Sequence, residues 1–137
     1  MKKVLSAAIL TIFILSLAGL ALAQTVYTGL IFDAQNLTFT PSASVKILDE
    51  DGREVYGSAY VSKDWAEKQG IVSYVKDLAQ AKANQRVAGN PLVIKAIKVT
   101  GPNNKDLVIS NEDARKVRDL SKNINFLDAA KVVIIVP

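Results

Sequence analysis

Two stretches decide the fold: Thr28-Gly29-Leu30-Ile31-Phe32-Asp33-Ala34, and Ile47-Leu48-Asp49-Glu50-Asp51-Gly52-Arg53-Glu54-Val55-Tyr56-Gly57. The first lies in a strand of about Val26 to Asp33. Leu30 and Phe32 face one way and Ile31 the other, so apolar groups line both faces and the strand belongs inside a sheet. The second reads as a hairpin. Asp51-Gly52 stands between two short apolar runs, and Gly supplies the positive φ of a tight turn. Val45–Leu48 and Glu54–Val61 are its arms, and Gly57 marks a bulge or a close backbone approach in the second arm.

Outward from these strands, Asn36 to Ser44, with Pro41 inside, reads as a loop. Ser62 is a plausible N-cap for a helical stretch to about Asn84, with Trp65, Val72, Val75 and Ala79 on one stripe extended by Ile71 and Leu78. Trp65 is expected in the core. Gly70, in the middle, either kinks this helix or caps a first short one. After the turn Gly89-Asn90-Pro91, Leu92–Val99 reads as a strand that turns at Gly101-Pro102-Asn103-Asn104 and returns over Asp106–Ile109. Ser110 or Asn111 caps a helix whose buried stripe is Ala114, Val117 and Leu120, ending at Asn123-Ile124-Asn125. The β-branched run Val132–Val136 reads as a strand covered on both faces. The order βββαββαβ predicts an α+β domain with a mixed β-sheet and two helices packed on one face.

The 137 residues divide into a leader and one domain. Lys2 and Lys3, the apolar run Val4–Leu20 and the small-residue site Ala21-Leu22-Ala23 read as a signal peptide over 1–23, leaving 24–137 as a single exported domain. An uncleaved membrane anchor is the competing reading, and membrane contact is expected only in that case. Both imply export, to the periplasm or the exterior of a bacterium. Two of the 17 Lys and Arg and none of the 13 Asp and Glu fall in the leader, so the domain carries a net charge of +2 and gives no electrostatic case for nucleic acid.

The chain has no His and no Cys. Ser-His-Asp and Cys-His arrangements, zinc sites of His and Cys, haem ligation by His, and a lipid-modified N-terminal Cys are therefore all unavailable. Asp49-Glu50-Asp51 with Asp33 could offer oxygens to Ca²⁺, but they lack the ligand spacing of an EF-hand loop and read as a solvated hairpin tip. No metal or cofactor is expected. Asp33, at the end of an apolar strand, is expected to accept backbone hydrogen bonds or to pair with Arg53 or Arg86. Arg115, Lys116, Arg118 and Lys122 form a basic patch on the last helix, read as its solvated face.

Four blocks in order carry a resemblance: Tyr27–Ala34, Ile47–Gly57, Arg86-Val87-Ala88-Gly89-Asn90-Pro91-Leu92-Val93, and Asp106–Ala114. Together they resemble an uncharacterised family of small exported bacterial proteins, distantly similar to the twenty-kilodalton surface lipoproteins and flagellar outer-membrane lipoprotein P. That similarity implies a place in envelope or flagellum-associated assemblies and brings no catalytic residue. The expected function is a non-enzymatic structural or interaction module of the cell envelope that binds an envelope protein or itself. Asp33, Asp51, Gly52, Arg53, Arg86 and Asn90 are its candidate interaction or structural residues. The alternative is a periplasmic small-ligand-binding protein or hydrolase using Asp33; a cleft around Asp33 with no basic partner would favour it. On the first reading Asp33→Asn lowers the melting temperature, and an unchanged melting temperature with altered ligand binding would count against it.

Overall fold

The computed structural model describes residues 25–137 except Asn123, Ile124 and Phe126. The expected leader over 1–23 and the expected helix end at Asn123-Ile124 lie outside the described residues. The elements run β1 (Gly29–Asp33), β2 (Ile47–Leu48), β3 (Glu54–Tyr56), α1 (Lys63–Gln69), β4 (Ser73–Val75), α2 (Leu78–Ala83), β5 (Pro91–Lys95), β6 (Lys98–Thr100), β7 (Asp106–Val108), α3 (Asn111–Ser121) and β8 (Val132–Ile135). Strands and helices are mixed without regular alternation, and the fold is α+β.

The strands form two sheets rather than the single mixed sheet expected. One has the order β4-β8-β1-β5 and is parallel throughout. The other has the order β3-β2-β7-β6 and is mixed. β1 and β8 take the two inner positions of the first sheet, where their apolarity on both faces places them. Leu30 and Phe32 join Ile47, Val55 and Leu107 of the second sheet in one core. Ile31, on the opposite face, packs with Val133, Ile135, Val87 and Ala81 of α2. The helices therefore do not share one face. α2 contributes to this smaller cluster, while Ala114 and Val117 of α3 enter the larger one.

Both hairpins form. In the first, Gly52 has φ 83°, and its N–H donates to Asp49 O at 3.0 Å. The turn thus closes over Glu50 and Asp51, with Gly in the left-handed position that follows. The second arm is short: β3 stops at Tyr56, and Gly57 leads into a 3₁₀ turn at Ser58–Tyr60.

Two further expectations fail. The helix expected from Ser62 to Asn84 is broken into α1, β4 and α2. Gly70, at φ 72°, ends α1 with its N–H on Ala66 O, and the β-branched and aromatic residues Ile71-Val72-Ser73-Tyr74-Val75 then favour an extended chain, which pairs with β8. Asp77 starts a new helix by accepting the Gln80 N–H at 2.8 Å. The proposed stripe dissolves with the long helix: Ile71 is buried, but Trp65 and Leu78 are 42% and 41% exposed. The strand expected over Leu92–Val99 is also divided. Ala96 N–H still donates to Asp33 O in the first sheet, while Ile97 N–H donates to Val108 O in the second, so one extended run serves as the outer strand of both.

At the start of β1 another segment's backbone approaches closely. A Cβ on Gly29 would stand 2.6 Å from Val87 Cγ1 and 2.8 Å from Val87 Cα, and the Thr28 hydroxyl donates to Val87 O at 2.7 Å. Gly29→Ala is expected to cost about 1–3 kcal/mol by overpacking, read as a lower urea midpoint at constant slope. An unchanged midpoint would show that the Val87 segment yields freely.

Candidate functional site

The candidate residues at the hairpin tip meet the N-terminal half of α3. Ser110 caps that helix by accepting the Asp113 N–H at 3.1 Å, which fixes the rotation that buries Ala114 and Val117. Asn111, the first helical residue, is zipped to the tip: Glu50 N–H donates to Asn111 Oδ1 at 2.9 Å, and Asn111 N–H donates to Glu50 Oε2 at 2.8 Å. Between tip and helix lies a cavity of about 380 Å³ lined by Asp49, Asp51, Arg53, Asn111, Arg115, Arg118, Asp119 and Lys122.

Asp49 organises this site. It is 2% exposed, so it is not part of a solvated tip as expected; Glu50 and Asp51 are exposed. Its Oδ1 accepts the N–H groups of Asp51 at 3.0 Å and Arg53 at 2.9 Å, and its Oδ2 accepts from Arg118 Nη2 at 3.0 Å. Burial pushes the Asp49 carboxyl up, but the Arg53 N–H, the Arg118 guanidinium and the Asp51 N–H outweigh it and hold the group below the ordinary carboxylate range. The signal for this role was present in Asp49-x-Asp51-Gly52-Arg53, because an Asp opening a turn bonds backbone N–H groups just ahead of it. Arg118, whose guanidinium comes from the far side, had no such signal.

The basic patch is solvated at Arg115, Lys116 and Lys122, as expected, and departs from that at Arg118. Arg118 turns inward to Asp49, Lys122 pairs with Asp119 at 3.4 Å, and Lys116 lies 5.9 Å from the Tyr27 ring centroid. Arg115 lines the cavity and enters none of the ion pairs among the described residues. The acidic groups face cations or backbone donors, and among the described residues no three acidic side chains are placed to hold a metal ion.

The remaining candidates lie elsewhere. Asp33 pairs with neither Arg53 nor Arg86. Its Oδ1 accepts the Gln35 N–H at 2.9 Å, a local turn bond that an Asn could keep, so the expected destabilisation by Asp33→Asn shrinks. Asp33 does not line the charged cavity. Arg53 Nη2 reaches Asp51 at 3.2 Å. Arg86 binds the Ser73 hydroxyl at 2.7 Å and the carbonyls of Gly70, Ala130 and Gln69, joining the end of α1 to β4 and to the turn before β8. Its partners are carbonyls and a hydroxyl of the chain rather than the expected carboxylate. Asn90 donates from Nδ2 to Val26 O at 2.8 Å and fastens the chain entering β1.

Fold and site together define a small α+β domain with two sheets on a shared core and a charge-lined cleft between a hairpin tip and a helix. Residues 29–137 match the family described as Treponema pallidum Tp0624, second domain. The chain belongs to that bacterial family. No curated protein matches it. The match agrees with the resemblance to a bacterial family read from the four blocks, and gives no support to the likeness to lipoprotein P.

Because the folded Asp49 carboxyl ionises below its unfolded value, its contribution to stability is complete above the unfolded carboxylate pKa of about 3.9 and is lost as pH falls through the lower folded value. Asp49→Asn, which removes the carboxylate charge facing Arg118, is expected to lower the melting temperature at pH 7 and to flatten its fall below about pH 4. Parallel acid limbs for the two proteins in thermal melts would refute this account of Asp49.

Proposed function

We propose that the protein is a non-enzymatic interaction module of the bacterial cell envelope, binding an envelope protein or a second copy of itself through a sheet edge. One observation carries this reading: Pro91–Thr100 is an outer strand of each sheet in succession. Among the described residues no strand pairs with its outer side. Val93 and Ile97 on this run are 42% and 47% exposed, and a long edge with apolar side chains is a template for strand addition. Lys95 and Lys98, both exposed, discourage indiscriminate pairing without removing the edge.

The envelope location rests on the sequence of residues 1–23, with their two lysines, apolar run and Ala21-Leu22-Ala23. Among the described residues no helix is long and apolar enough to cross a membrane. In Tp0624 the family is a second domain, so there it occurs beside at least one other. The non-enzymatic part of the proposal draws on Asp33, the acid on which a hydrolase would depend: it holds the Gln35 N–H in a turn.

Light scattering of residues 24–137 over a range of concentrations tests the self-association form. A defined oligomer that becomes monomeric in the Val93→Lys, Ile97→Lys double variant is the expected result. A strict monomer at every concentration removes self-association, and an oligomer indifferent to both substitutions removes the edge.

A further inference from the structure

The exposure of Trp65 is unaccounted for by the fold. α1 has no buried residue, nor has the 3₁₀ turn before it, and Trp65, the only Trp of the chain, is 42% exposed there. Indole is the largest apolar side chain to leave in water, and such groups earn their place by contact with a partner that is apolar on one side and polar at its margin.

Beside it lies a cavity of about 270 Å³ lined by Ser62, Asp64, Trp65, Lys68 and Gln69. Ser62, Lys68 and Gln69 each stand three or four residues from Trp65 and so flank it on one face. Among the described residues their polar side-chain groups have no ion-pair partner. Ser62 occupies the N-cap position, yet its hydroxyl makes no capping bond. Asp64 and Lys68 have the i,i+4 spacing at which ion pairs close readily, but neither enters an ion pair among the described residues. Gln69 is engaged through its backbone carbonyl, by Arg86.

We propose that this face binds carbohydrate, with Trp65 as the platform on which one pyranose ring stacks. A sugar ring presents C–H groups on its face and hydroxyls around its rim. The indole meets the first, while a carboxylate, an ammonium, an amide and a hydroxyl supply acceptors and donors for the second. One acid and one base in the lining balance each other and suit a neutral ring better than an anion. The cavity has room for about one ring, so the ligand is held by a single residue of a glycan. This proposal is independent of the edge strand at Pro91–Thr100.

Trp65 reports on its own site, because no other Trp contributes to the emission. The purified protein is titrated with maltotriose, cellotriose and chitotriose while Trp fluorescence is followed, and the heats of binding are measured in parallel. A saturable change in emission with at least one trisaccharide is expected. Its affinity should fall at least tenfold in Asp64→Ala and in Gln69→Ala, and its binding heat should vanish in Trp65→Ala. Since α1 buries no residue, all three variants should keep the wild-type circular dichroism and melting temperature. No saturable response to any of the three sugars overturns the proposal, as does binding heat that survives in Trp65→Ala. A blue shift with phosphatidylglycerol vesicles and none with the sugars also overturns it, in favour of a membrane-surface contact.

Discussion

The burial of β1 on both faces and along both edges is the constraint from which the architecture follows. Its backbone is paired with β5 on one side and β8 on the other, so its polar groups are satisfied without water. Its alternating side chains then require apolar partners above and below. The second sheet and α3 answer one face, and α2 with Val87 answers the other. A strand with one wet face would have needed a single covering layer. Gly29 is part of the same constraint, since the Val87 segment can close over the start of β1 only where no Cβ intervenes.

Charge is handled differently in the two halves of the molecule. Asp49 is buried and fully engaged, so it acts as a joint: it shapes the hairpin turn from within and receives Arg118 from α3. Arg86 does comparable work with the sign reversed, gathering carbonyl oxygens after α1 and before β8 together with the Ser73 hydroxyl at the start of β4. Burial there draws the Arg86 guanidinium below its ordinary value, and neutral acceptors rather than an anion compensate it. Neither residue has the unused capacity expected of a catalytic group. Among the described residues, the side chains of Asp64 and Lys68 on α1, beside Trp65, enter no ion pair.

What the sequence made legible was whatever local chemistry decides. Leu30, Ile31 and Phe32 placed β1 at the centre, the β-branched run ending at Val136 did the same for β8, and Asp51-Gly52, Gly101-Pro102 and Ser110 marked two hairpins and a cap. What it concealed depended on distant partners. From Leu92 to Val99 nothing in the side-chain pattern announces a change of sheet, because the change is one of hydrogen-bond partner between Ala96 and Ile97. Around Gly70 the helical spacing of Trp65, Val72 and Val75 competed with the β-propensity of Ile71–Val75, and pairing with β8 decided the matter. Asp49 looked like one of three equivalent acids, and the burial that separates it from Glu50 and Asp51 comes from packing against α3.

The place of β8 also imposes an order of events. β4 and β1 both pair with β8 and not with each other, so the parallel sheet has a gap at its centre until Val132–Ile135 is present. A ribosome delivers those residues after every other element of the domain. Until then Leu30, Phe32 and their neighbours lack the strand that closes over their edge, and the nascent domain stays open. Assembly is thus timed by the last strand of the domain.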